Sequence, residues 1–105
     1  MAKKSIRIRA RYKNGITTVK ALISHPMETG QRKNSKTGEL IPAHFIQEVV
    51  ARSGDTVLMT AHWGPGVSKN PYVAFKYQGG TPGDEITLTW VDNQGQTGTG
   101  RAQIR

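Results

Sequence analysis

Three histidines, His25, His44 and His62, are the side chains of this sequence best suited to hold a metal or to pass a proton. Imidazole on a β-sandwich can ligate copper or zinc, and such sites need three or four ligands. The spacing argues against one here. No H-x-H or H-x-x-x-H pair occurs, there is no cysteine, and the three histidines stand in different segments. The plainer expectation is that His25 and His44 order a loop while His62 lies on a strand face. Nucleophilic catalysis has less support still. Ser24 and His25 are adjacent, but neighbours on a strand point to opposite faces and cannot share a hydrogen bond. The seven acidic residues fall mostly at turn positions, Asp55, Asp84, Glu85 and Asp92, where they end strands. No glycine-rich loop leads into a helix, so the usual phosphate cradle is missing. With no nucleophile beside a base, the expectation is a binding protein that is not an enzyme, with no catalytic residue, no metal and no cofactor.

The cations are distributed unevenly. Residues 1–20 hold Lys3, Lys4, Arg7, Arg9, Arg11, Lys13 and Lys20 without one acid, and Arg32, Lys33 and Lys36 share a short loop. A net charge of +8 favours an acidic partner. Arg7, Arg9 and Arg11 fall on one side of an alternating segment, about 6.8 Å apart from strand rise, a spacing that roughly suits a phosphate backbone. A nucleic-acid sheet interleaves exposed aromatics for base stacking. Here Tyr12 belongs instead to the apolar side, with Ile6, Ile8 and Ala10. The competing reading of the three arginines is a solvated face that protects an edge strand from aggregation.

Two loops carry large apolar groups beside residues that stiffen or bend the backbone. Ser24–Gly30 contains Met27, and Trp63–Tyr72 contains Trp63, Val67 and Tyr72. Rigid loops that present an aromatic or methionine anchor are a common way to build a protein interface. The alternative is a lid folded over the end of the domain, which is the better reading for Trp63 alone.

The elements that must position these residues follow from periodicity. Alternation over 5–12, the turn Lys13-Asn14-Gly15, and a β-branched return over 16–24 predict a hairpin. A long excursion from His25 to Pro42, with an exposed hairpin tip at 31–38, precedes further strands at 43–52, 56–63, 72–77 and 85–91. A last, polar edge strand is predicted at 96–104. Seven strands, turn signals about every ten residues and no helix predict an all-β, antiparallel immunoglobulin-like sandwich, with a small OB-type barrel as the rival. A length of 105 residues and no linker or repeat predict one domain, 1–105. No run approaches the ~20 apolar residues of a membrane span, so no membrane association is expected. The basic N-terminus leads into no apolar stretch, so no signal peptide is expected.

Three segments in order give the chain a resemblance to a known family. His25-Pro26-Met27-Glu28-Thr29-Gly30, Leu40-Ile41-Pro42-Ala43-His44-Phe45-Ile46 and Trp63-Gly64-Pro65-Gly66-Val67-Ser68-Lys69-Asn70-Pro71-Tyr72 resemble the hallmark segments of SoxZ. The likeness continues through Gly79-Gly80 and Thr89-Trp90-Val91-Asp92. The resemblance implies an immunoglobulin-like sandwich without catalytic residues that pairs tightly with SoxY. The C-terminal arm cysteine of SoxY carries sulfur intermediates in bacterial thiosulfate oxidation. It implies transient docking to the other Sox enzymes, no nucleic acid, and a periplasmic location reached by export together with SoxY. The candidate partner-binding residues are then His25, Pro26, Met27, Phe45, Trp63, Val67, Lys69, Asn70 and Tyr72, and Arg7, Arg9 and Arg11 form a candidate basic docking face. The basic tip 31–38 is assigned no shared role.

Overall fold

The computed structural model describes residues 6–105, so Lys3 and Lys4 of the basic N-terminal run lie outside the described residues. Seven strands follow one another: β1 Ile6–Lys13, β2 Ile16–Ile23, β3 Ile46–Ser53, β4 Thr56–His62, β5 Tyr72–Gln78, β6 Glu85–Asp92 and β7 Thr97–Gln103. They form a three-stranded sheet in the order β1-β2-β5 and a four-stranded sheet in the order β4-β3-β6-β7. Every pairing within the sheets is antiparallel. This is the immunoglobulin-like sandwich that the alternation predicts, with no helix among the described residues.

The third strand begins at Ile46, three residues later than its composition suggests. Ala43–Phe45 make no ladder with a neighbouring strand because the loops claim their backbone. His44 exchanges both backbone hydrogen bonds with Glu28, and the Phe45 carbonyl accepts from the Asn93 N–H. Tyr12 also departs from expectation: it is 36% exposed rather than core. Its backbone is held by the C-terminus, with Tyr12 N–H donating to the Arg105 carbonyl.

Inward residues of both sheets fill the space between them. Ile23, Ile46, Val49, Ile86 and Leu88 are fully buried, and Ile8, Leu58 and Phe75 join the two halves of the core. Each such side chain contributes about 1.5–3 kcal/mol when taken out of water. One edge of the sandwich is stitched: Ala10 bridges Ile104 in parallel, and Arg105 N–H donates to the Ala10 carbonyl at 3.0 Å. Neighbouring side chains explain the glycines of β7: Trp90 across the ladder and, at this closed edge, Ile6 of β1. A Cβ at Gly98 would stand 2.5 Å from the Trp90 ring, and one at Gly100 would stand 2.7 Å from Ile6 Cβ.

The loops divide between the two ends. Tight turns at 14–15 and 54–55 and the segment 79–84 lie at one end. The 24–45, 63–71 and 93–96 connections meet at the other, where hydrogen bonds join them.

Candidate functional site

At the loop end, β2 delivers His25 just past its last residue, β6 ends on Asp92, and His44 precedes β3 by two residues. The topology therefore brings three polar side chains, far apart in sequence, to one point. Asp92 Oδ2 accepts hydrogen bonds from His25 Nε2 at 3.0 Å and from His44 Nε2 at 2.7 Å. Its Oδ1 accepts the backbone N–H groups of Gln94 at 3.0 Å and Gln96 at 2.8 Å. Both His25 and Asp92 are buried, while His44 is partly open and also lies 3.1 Å from Gln96 Oε1. The indole of Trp90 meets the His25 ring edge-on at 5.0 Å. Burial pushes the Asp92 carboxyl up. The donors His25, Gln96, His44 and Gln94 outweigh that cost and hold it below the usual carboxylate range.

The three ligand-type atoms lie within 4.8 Å of one another, close enough to suit a cation. The tautomer of His25 decides otherwise. Its Nδ1 accepts the Met27 backbone N–H at 3.1 Å, which leaves the ring proton on Nε2, aimed at Asp92. A metal on Nε2 would move that proton to Nδ1, head-on against the Met27 N–H. The cluster is a hydrogen-bonded knot, and His25 and His44 order the loop, as their separation in sequence suggests. His62 stands apart on β4, exposed, 3.9 Å from Glu48. Sequence reasoning missed Asp92, which it took for a strand terminator. The Asp92-Asn93-Gln94-Gly95 turn held the only signal, because an aspartate that caps a turn this way also leaves one oxygen free to face inward.

The knot ties the loops together. Asn70, at φ 52°, accepts the His25 N–H on its Oδ1 at 3.1 Å and donates its own N–H to the His25 carbonyl at 3.0 Å. Asn93 accepts the Phe45 N–H at 2.8 Å and donates to the Ala43 carbonyl at 2.9 Å. Met27, at φ 49°, is buried, with its Sδ 3.4 Å from the Ile46 nitrogen. The sequence-predicted partner residues thus separate into three groups. His25 and Met27 face inward and shape the loop. Phe45, Trp63 and Val67 are partly buried against the core, whereas Pro26, Lys69, Asn70 and Tyr72 are exposed. The structure brings all of them to this end of the sandwich. Arg7, Arg9 and Arg11 lie elsewhere, exposed on the outer face of the three-stranded sheet. In the 31–38 arm, Arg32 pairs with Glu28 at 2.6 Å, and that hydrogen bond lowers the Glu28 carboxyl.

Comparison with known proteins bears on this arrangement. No curated protein matches the chain. Among solved structures, superoxide reductase (neelaredoxin) from Ignicoccus hospitalis is similar with a TM-score of 0.64 at 17% identity, covering 96% of this chain and 79% of that one. A mutant superoxide reductase (neelaredoxin) from Archaeoglobus fulgidus, in the reduced form, is similar with a TM-score of 0.57 at 18% identity, covering 96% and 89%. At such identity the likeness is one of fold. The family model for sulphur oxidation protein SoxZ matches residues 6–103, a span that takes in all seven strands and the whole knotted end. The chain belongs to the SoxZ family of sulfur-oxidation subunits.

Proposed function

We propose that this chain is the non-catalytic partner subunit of a SoxYZ-type sulfur carrier, periplasmic and exported together with a SoxY-like subunit. In this reading the partner's C-terminal arm cysteine bears the covalent sulfur. The present chain holds that subunit and helps present it to the other Sox enzymes during thiosulfate oxidation. The family match across residues 6–103 carries the reading. The chain has no thiol of its own to compete for sulfur. Its loop end supports a stable interface: Phe45, Trp63 and Val67 sit half-buried on loops already locked by hydrogen bonds, so little ordering entropy opposes binding.

Co-expression with a SoxY-like subunit followed by gel filtration tests it. The two chains are expected to co-elute as a stable complex, and a chain that elutes as a monomer beside that subunit sinks the reading. Pro26→Asp and Lys69→Asp, at exposed positions of the loop end, are expected to weaken pairing by roughly tenfold or more, as an unpaired charge set into an interface does. Their circular dichroism melts should stay close to that of the parent chain.

A further inference from the structure

Strand register assembles a surface that the sequence displays only in part. On the outer face of the three-stranded sheet, paired residues form four rows: Arg7–Leu22–Tyr72, Arg9–Lys20–Ala74, Arg11–Thr18–Lys76 and Lys13–Ile16–Gln78. Directly paired residues point the same way, so six cations converge on this face with no acid among them. None of the six has an ion-pair partner among the described residues. The seven other described cations equal the seven acids in number, so the net charge of +8 resides on this face and on Lys3 and Lys4, which precede it in sequence. Rows about 6.8 Å apart on strands about 4.8 Å apart place neighbouring cations within one Debye length of roughly 8 Å. The free face therefore bears uncompensated repulsion that an anionic partner relieves.

The face is not uniformly polar. Leu22 and Tyr72, 43% and 60% exposed, stand side by side in the first row and, with Arg7, Arg9 and Lys20, line a shallow groove. We infer that this face is a docking site for an acidic protein surface that places one apolar side chain in the groove beside Leu22. Four rows of three outward residues are about half of the 20–30 per side in a standard interface, which fits a transient complex. The density of charge points the same way, because the cores of permanent interfaces are depleted of charged residues. Nucleic acid fits less well: a single aromatic at one end of the face offers no stacking series. The inference rests on the carrier reading in one respect, that the stable partner occupies the loop end and leaves this face free.

The test titrates the 15N-labelled chain, alone and paired with a SoxY-like subunit, with three probes. These are a short Glu/Asp-rich peptide with one central leucine, the same peptide with serine there, and single-stranded DNA of equal length. Amide shifts are expected over Arg7–Lys13, Lys20, Leu22 and Tyr72–Lys76, in the chain alone and in the pair. The leucine peptide is expected to bind several-fold tighter than the serine peptide. Its affinity should fall about tenfold or more between low and physiological salt. Arg9→Glu with Lys20→Glu should abolish binding, and Leu22→Ser should erase the difference between the peptides, both without lowering thermal stability or changing pairing. Shifts confined to the 31–38 arm, or no saturable binding, overturn the inference. So does DNA binding tighter than either peptide, which makes this a nucleic-acid face. Shifts present in the free chain but lost in the pair show that the stable partner covers the face, which also overturns the inference. If no pair forms, the carrier reading fails, and titration of the chain alone still decides the face.

Discussion

Asp92 is where acid enters this fold. Its carboxylate takes four hydrogen bonds, two of them from imidazoles, and its folded pKa lies below the ordinary value of about 3.9. A depressed folded pKa contributes stability that is complete above the unfolded value and is lost as pH falls through the folded one. Denaturant melts should therefore show the wild-type chain losing stability below about pH 4, and Asp92→Asn should lose less over that window. At neutral pH the variant is expected to cost about 2–4 kcal/mol, because its amide turns a donor toward two N–H groups in a buried site. A variant as stable as the parent at neutral pH contradicts this account. Ring-nitrogen chemical shifts give an independent check. They should place the His25 ring proton on Nε2, as the Met27 hydrogen bond to Nδ1 requires.

Among the elements, the third strand and the last are the ones whose details depend on neighbours. The 63–71 connection is pinned to the end of β2 through Asn70, which supplies both a left-handed backbone and a side-chain acceptor. Asn70→Gly keeps the first and removes the second. It is expected to cost about 1 kcal/mol and to speed amide exchange at His25 and across 64–71, while the strands keep their protection. Unchanged exchange there removes the pin. Gly98 faces a comparable test. Its partner across the ladder is Trp90, whose ring covers it, so Gly98→Ala should destabilise by about 1–3 kcal/mol through overpacking despite its place on an outer strand. Strand identity was legible from period-two alternation. The start of β3 was not, because Ala43–Phe45 read as strand by composition while Glu28 and Asn93 hold their backbone.

The whole molecule separates its two kinds of surface: a knotted loop end with half-buried aromatics, and a cationic sheet face with the net charge. Under the proposed function these make different demands. Reversing Arg7, Arg9 and Arg11 to Glu should leave pairing with the SoxY-like subunit intact while slowing carrier turnover with the other Sox enzymes and flattening its salt dependence. Electrostatic steering acts on association rate more than on the stable complex. Turnover whose salt dependence is unmoved by the triple reversal excludes a steering role for these residues.

Local pattern alone determined the number of strands, their alternation and the exposed arm at 31–38. It also determined the three arginines that share one side of β1. All of these depend on residues within a few positions of one another, where periodicity and turn chemistry act. The three hallmark segments likewise sufficed for the family. Tertiary structure alone decided what unites distant positions. Asp92 became the centre of a buried knot only when the ends of β2 and β6 met His44. The SoxZ-like segments around His25, His44 and Asn70 turned out to converge on that knot, so much of their pattern orders the loops. Lys76 and Tyr72 joined the arginines' face only through the pairing of β5 with β2. Sequence spacing carries no information about such meetings, because the sheet pairings that create them span tens of residues and are set by the packing of the whole core.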